Sequence, residues 1–226
     1  MPKISPRARR ALTEERRKQI LDAAAKVFAA KGFERATIAD VARAAGVAEG
    51  SIYNYFKNKG ELLIGIPRQI IQPPVEAVLG QMRAVGATPI PPEQMLPIVA
   101  KNMTTIFRQN AHIFRILISA LPTLSQSARE QYVKRVLFYV WDILEAYFRE
   151  LIEKGILRRD LNPAILTRAF VGMLIPFLLL NQIFGIDPVK FDLDQVIAEN
   201  ITVFLRGALA EDAARKSKRV QKIAIE

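Results

Sequence analysis

Cysteine is absent from the 226-residue sequence, and histidine occurs only once, as His112. Without cysteine the chain has no disulfide bond, no thiol nucleophile and no cysteine-based zinc site. A single histidine gives little support to a histidine-based metal site or a Ser-His-Asp triad. We therefore expect no metal, no cofactor and no enzymatic activity, and the lack of cysteine fits a location in the reducing cytoplasm.

Long apolar segments are also scarce. The most apolar run, residues 169–180, is 12 residues long and includes Pro176, so it is too short to cross a bilayer. The basic start of the chain is followed by an amphipathic stretch and not by the apolar core of a secretory signal. We expect no association with membranes, and we interpret residues 169–180 as part of a buried helix.

Strand-like alternation, internal repeats and glycine-rich phosphate loops are absent as well, whereas apolar residues recur at helical spacing. Half of the residues are hydrophobic, which is enough for a sizeable core. The sequence therefore predicts an all-α protein with a small N-terminal domain and a larger C-terminal helical bundle.

Positive charge is concentrated at the start of the chain, whose total net charge is +11. Residues 1–60 contain 13 Lys and Arg against 6 Asp and Glu, a net charge of +7, whereas residues 61–210 have a net charge of only +2. A basic domain of this kind is typical of a module that binds phosphates. We expect a flexible basic arm at residues 1–12, a first helix from Thr13, and a basic tail at residues 212–226.

A helix-turn-helix pattern occupies residues 37–59. Thr37, followed three residues later by an aspartate, starts helix 2 as a capping-box variant. Gly46 permits the sharp turn, and helix 3 then buries Ile52 and Phe56, which lie one helical turn apart. In such a motif the second helix can enter the major groove of DNA.

Residues 17–63 resemble the TetR/AcrR-type (tetracycline-repressor-like) family of bacterial transcription regulators. The resemblance rests on AAKGF at the end of helix 1, ATIADVARAAGV in helix 2 and the turn, and GSIYNYFKNK from helix 3 onward. It implies a DNA-binding domain at residues 13–58 and a ligand-binding and dimerisation domain at residues 59–211. Members of this family are all-α homodimers that bind operator DNA and a small effector.

The resemblance also implies which residues contact double-stranded DNA. Thr37 and Lys59 would bind phosphates at the starts of helices 2 and 4. From helix 3, three side chains would bind phosphates or bases: Ser51, Tyr53 and Tyr55. Three further positions vary within the family and help to set operator choice: Glu49, Gly50 and Asn54. Because amides and carboxylates can recognise base edges, Asn54 can pair with adenine and Glu49 with cytosine.

The remaining two thirds of the chain are expected to form helices only. Helix 4 should start at Lys59, bend at Pro67 and give way to a new segment at Pro73 and Pro74. The later helices are predicted at residues 93–109, 110–121, 126–154, 162–184 and 192–211.

The helix at 162–184 is apolar around its whole circumference, so it must be covered on two sides. We expect it to form a four-helix interface with the helix at 192–211 and the same pair of a second copy. Two-fold symmetry would then place the two recognition helices about 34–36 Å apart on a palindromic operator.

An effector pocket is the least specific prediction. Aromatic and flexible side chains in the C-terminal helices, with one amide, can line an apolar cavity: Met103, Phe107, Phe114, Trp141, Met173, Phe177 and Asn181. Each of them is more often an ordinary core residue. The scarcity of polar groups favours a hydrophobic effector such as a lipophilic drug, an acyl chain or an aromatic compound.

Together these features predict a homodimeric, sequence-specific transcription regulator, interpreted as a repressor that a small apolar effector releases from its operator. One alternative is a DNA-binding or architectural protein without an effector, whose C-terminal domain only dimerises. A helical enzyme or lipid carrier is a third reading, which the scarcity of histidine, cysteine and clustered carboxylates disfavours.

Overall fold

The computed structural model describes residues 5–84, 89–186 and 191–209. Within these ranges the chain forms helices and no β-strand, and one isolated antiparallel bridge joins Leu157 and Leu209. The all-α prediction is confirmed. The helices are α1 (Pro6–Lys31), α2 (Ile38–Ala45), α3 (Glu49–Tyr53), α4 (Lys59–Ala84), α5 (Pro92–Gln109), α6 (Ala111–Ala120), α7 (Gln126–Tyr132), α8 (Phe138–Glu153), α9 (Pro163–Leu178) and α10 (Leu193–Ala208). Two π-helical segments, Val133–Leu137 and Leu179–Phe184, follow α7 and α9.

The first helix begins seven residues earlier than the sequence analysis expects, at Pro6 and not at Thr13. The Ser5 hydroxyl accepts a hydrogen bond from the Ala8 amide at 3.2 Å, and proline occupies the first helical position. This pairing of a serine cap with proline is a strong helix start. Residues 6–12 are therefore helical and not a flexible arm, whereas residues 1–4 and the predicted tail at 212–226 lie outside the described ranges.

The described residues divide into two compact units, one formed by residues 5–73 and 110–136, the other by residues 74–109 and 137–209. The expected boundary between the two domains lay after residue 58. The difference arises because α6 packs against α1, a tertiary contact that the spacing of residues along the chain does not reveal. The first part of α4, α6 and α7 therefore belong with the helix-turn-helix.

The core of the first unit lies between α1, α2 and α3. Ile20, Ala24 and Phe28 form a stripe along α1, and each is fully buried. They share the core with side chains from α2, α3 and the segment after it: Val41, Ala42, Ala45, Ile52 and Phe56. A small core of this size is the expected scaffold for a helix-turn-helix.

The fourth helix continues through Pro67 and through Pro73 and Pro74 to Ala84. The expected new segment at Pro73 is therefore wrong as far as secondary structure is concerned. Each proline removes one backbone hydrogen bond, but most helix stability comes from packing of an apolar face. Four residues in the first two turns of α4 are at most 3 % exposed: Leu62, Leu63, Ile64 and Ile66.

The second unit is built around aromatic side chains from α8, α9 and α10. Phe148 is fully buried and lies 6.4 Å from Phe170 and 5.7 Å from Phe204 between ring centroids. The Tyr147 hydroxyl donates a hydrogen bond to the carbonyl of Ile90 at 2.7 Å, and burial raises the pKa of Tyr147 well above its usual range. This cluster ties three helices into one core.

Residues Pro163–Asn181 form a stretch of 19 residues that is long and apolar enough to cross a membrane by length and composition. It is longer than the 12-residue run identified in the sequence, because flanking residues complete the helix. Core helices meet the same criteria, and α9 buries a full side within the second unit: Leu166, Thr167, Phe170, Leu174 and Leu178.

Candidate nucleic-acid interface

Local interactions define both ends of α2. The Thr37 hydroxyl accepts from the Asp40 amide at 3.1 Å, and the Asp40 carboxylate accepts from the Thr37 amide at 3.1 Å, which completes the predicted capping box. At the other end of α2, Gly46 has φ of +65°, a left-handed conformation that glycine adopts without steric cost. The cap thus fixes where α2 begins, and the glycine turn fixes where it ends and the chain turns toward α3.

The recognition segment, residues 49–55, presents a polar outer face. Ile52 is fully buried, whereas Tyr53 is 52 % exposed and Asn54 is also exposed. A Cβ atom added at Gly50 would meet open space. Among the described residues no side chain makes a hydrogen bond to the Tyr53 hydroxyl or the Asn54 amide, so both remain available for an external partner.

Side chains of the long helix α1 contact the inner side of this segment. The Arg17 guanidinium donates a hydrogen bond to the carbonyl of Tyr55 at 2.8 Å and lies 4.5 Å from the centroid of the Phe56 ring. Gln19 donates to the carbonyl of Ala45, at the end of α2, at 2.7 Å. These contacts tie the end of α2 and the end of the recognition segment to one helix. Sequence reasoning missed them, because a charged or amide side chain on a helix gives no signal that distinguishes a clamp from a solvated face.

The half-buried Lys59 side chain makes hydrogen bonds to backbone carbonyls of the same protein. Its ammonium group donates to the carbonyls of Phe33, Glu34 and Ala36 at 2.7, 3.0 and 3.1 Å, and it lies 4.5 Å from the centroid of the Phe33 ring. An ammonium has three hydrogens, so all of them have acceptors here. Lys59 therefore locks the connection between α1 and α2, and the predicted phosphate contact would require it to exchange one of these carbonyls for a phosphate.

Thr37 is similarly engaged, because its hydroxyl also donates to the Asp40 carboxylate at 2.9 Å. That carboxylate accepts in addition from the Lys31 ammonium at 2.5 Å. The hydrogen bonds from Lys31 and then Thr37 lower the pKa of Asp40 from 3.8 to about 2. The start of α2 is thus a closed polar network, in contrast to the open face of residues 49–55.

The family profile described as "Bacterial regulatory proteins, tetR family" matches residues 20–66, and the profile "AefR-like transcriptional repressor, C-terminal domain" matches residues 93–207. The chain belongs to the TetR family. It is a DNA-binding transcription regulator, and the relatives of this TetR-family protein are regulators and not enzymes, as the sequence analysis expects.

Three relatives illustrate the similarity. The "Fatty acid metabolism regulator protein" of Bacillus subtilis (strain 168) is 25% identical over 154 residues, which cover 68% of this chain and 77% of the relative. The crystal structure of FadR from Bacillus subtilis in complex with stearoyl-CoA has a TM-score of 0.67 and 22% identity, and covers 84% of this chain and 98% of that chain. Thermus thermophilus FadR in complex with lauroyl-CoA has a TM-score of 0.65 and 20% identity, over 86% of this chain and 96% of that chain.

The residues predicted to line an effector pocket fall in both units of the TetR-family protein. Phe114 is 5 % exposed and belongs to the first unit, whereas the other six belong to the second. Met103, Phe107 and Met173 are partly buried against the second core. Trp141 lies under the Arg168 guanidinium, 4.5 Å from its ring centroid. The pocket lining therefore stays a prediction for all seven residues.

Two described cavities both lie in the first unit. The larger, about 670 Å³, is a groove between α1, α4 and α6, and none of the seven predicted pocket residues lines either cavity. Within the described parts of the chain, no cluster of three His, Asp or Glu residues is arranged to hold a metal ion.

Proposed function

We propose that the protein is a cytoplasmic homodimer that binds a palindromic operator through its recognition segments and represses transcription until a hydrophobic effector releases it. The observation that carries this proposal is the open polar face of residues 49–55, clamped from behind by α1. A rigid scaffold with an unoccupied polar face is what direct contact with base edges requires.

In the proposed complex α3 enters the major groove. The Asn54 amide donates to and accepts from an adenine edge, and the Glu49 carboxylate accepts from cytosine N4. Three hydroxyl groups bind backbone phosphates or nearby bases: Ser51, Tyr53 and Tyr55. Gly50, which has open space above it, lets the backbone approach the groove closely.

The proposed dimer forms through residues 162–184 and 192–211. One side of α9 and its π-helical extension is exposed although its residues are small or apolar: Ile165, Ala169, Gly172, Pro176 and Leu180. Val203 of α10 is 63 % exposed. Exposed apolar surface of this extent marks an interaction site, and two such pairs form a four-helix interface that places two recognition helices one DNA turn apart.

For the effector we propose a fatty acyl-CoA. The second unit has an apolar core lined with flexible Met103 and Met173, and two FadR proteins of similar fold bind stearoyl-CoA and lauroyl-CoA. A ligand that binds better to a conformation unfit for the operator shifts the protein toward that conformation.

These proposals are tested by a gel shift on duplexes enriched from random DNA. The protein should select a palindrome and lose affinity as salt rises, because phosphate contacts release counterions. Binding that is absent or insensitive to salt would contradict the proposed function. Lauroyl-CoA and stearoyl-CoA should release the duplex, whereas free CoA serves as the matched control. Light scattering should give the mass of two chains.

A further inference from the structure

The first three turns of α1 project from the first unit without packing against it. Every described side chain of residues 5–16 is exposed, whereas Ile20, the next turn along, is fully buried. The helix nevertheless starts at a well-formed cap, Ser5 followed by Pro6. A helical end without packing gains no stability from burial. Because its side chains are exposed, this extension is accessible to an external partner.

Two basic residues of the extension, Arg7 and Arg10, lie on the same side of α1 as Arg17. At 3.6 residues per turn, Arg7, Arg10 and Arg17 fall within an arc of about 80° on α1. Arg17 defines the direction of that arc, since it contacts the carbonyl of Tyr55 and the ring of Phe56. Arg7 and Arg10 therefore lie on the side of α1 that contacts the end of the recognition segment, about 15 and 10 Å from Arg17 along the axis.

Neither of these two arginines is neutralised by a neighbour. Arg7 and Arg10 make no ion pair or hydrogen bond with another described side chain. Glu14 lies in the same arc, but it makes no described ion pair with Arg10 either. The extension thus continues the DNA-binding side of the domain with two free guanidinium groups, which are well suited to phosphate.

We propose that Arg7 and Arg10 bind backbone phosphates of double-stranded DNA that flanks the operator half-site contacted by α3. This inference rests on the proposed function. A distance of about 15 Å corresponds to four or five base pairs along the duplex. An α-helix is about 10–12 Å wide and the minor groove about 6 Å wide, so the extension lies along the backbone and does not enter the minor groove. Such contacts add affinity and register but no sequence preference.

The test uses full-length protein and two duplexes. The short duplex ends at the outer edge of the selected palindrome, and the long duplex adds six arbitrary base pairs on each side. Wild-type protein should bind the long duplex more tightly and with a steeper salt dependence. The double variant Arg7→Ala/Arg10→Ala should lose this advantage, on the order of tenfold at low salt, and its salt slope should fall by about two per chain.

Two further variants control for charge and folding. Arg108→Ala/Arg159→Ala removes the same charge from exposed positions of the second unit and should behave as wild type. Arg7→Lys/Arg10→Lys keeps the charge and should restore most of the long-duplex advantage. Equal binding of wild type and the alanine variant to the long duplex overturns the inference and leaves the proposed function intact. A loss of equal size on the short duplex also overturns it, and failure of wild type to bind any duplex overturns the proposed function itself.

Discussion

The two units of the protein hold their helices together in different ways. In the first unit, long polar side chains reach across to backbone carbonyls, as Arg17 does to Tyr55 and Lys59 to the segment between α1 and α2. In the second unit, aromatic rings stack into a common core around Phe148.

This difference fits what each unit has to do. Hydrogen bonds to carbonyls fix the orientation of α3 to within a narrow range, which recognition of base edges requires. An apolar core tolerates repacking as long as its volume is kept, which suits the proposed binding of an apolar effector by the second unit. Four experiments test whether the two units differ in this way.

The largest effect is expected from Phe148→Ala in the second unit. The side chain is fully buried, and its removal should lower the free energy of unfolding by about 3–5 kcal/mol. Urea denaturation followed by circular dichroism measures this change. A conservative Phe148→Leu variant should lose much less, and a similar loss from both variants would argue against an aromatic core that depends on volume.

Next in size is Lys59→Met, which removes three charge-assisted hydrogen bonds but keeps the apolar stem. We expect a loss of about 2–3 kcal/mol in the stability of the first unit. The salt slope of DNA binding decides between the two roles of Lys59. If the residue is an internal lock, the slope stays unchanged, whereas a direct phosphate contact predicts a slope lower by about one.

Asn54→Ala should leave stability unchanged and alter sequence preference. We expect a loss of about 1–3 kcal/mol in discrimination at one base pair of each half-site, measured by binding to a panel of single-base operator variants. Tyr53→Phe is the matched comparison and should weaken binding to all duplexes alike. If both variants change preference at the same base pair, the assignment of base and phosphate contacts is wrong.

The smallest effect concerns the pH dependence of the network at the start of α2. Because the pKa of Asp40 is lowered to about 2 in the folded state, the carboxylate stabilises the fold above its unfolded pKa near 3.8. This contribution disappears as the pH falls from about 4 to about 2. The difference in unfolding free energy between wild type and Asp40→Asn should therefore vanish over that range, and a difference that persists at pH 2 would exclude this origin.

Much of the first unit was predictable because its signals are local. The Thr37–Asp40 capping box, the turn at Gly46 and the burial of Ile52 depend on residues within one or two helical turns of each other. Gly60, an unusual choice in the first turn of α4, also has a local reason. A Cβ atom there would lie 3.1 Å from the side-chain oxygen (Oδ1) of Asn58, which caps the helix by accepting a hydrogen bond from the Glu61 amide.

The errors occurred where a residue has a partner far along the chain or a competing local signal. Thr13 with its following glutamates resembles a helix start as closely as Ser5 does, and the place of α6 in the first unit is not visible until α6 is seen to pack on α1. Hydrophobic periodicity indicates that a side chain is buried, but it does not indicate which neighbours pack against that side chain.

By itself, then, the sequence determined the all-helical fold, the helix-turn-helix and the identity of the polar residues on its outer face. The tertiary structure decided which of these polar side chains make hydrogen bonds within the protein. Asn54 and Tyr53 extend outward, whereas Lys59 and Thr37, predicted as DNA contacts from the same stretch, satisfy their donors within the protein. The reason is geometric, since a flexible side chain binds whichever acceptor lies within its reach, and only folding brings the carbonyls of residues 33, 34 and 36 to Lys59.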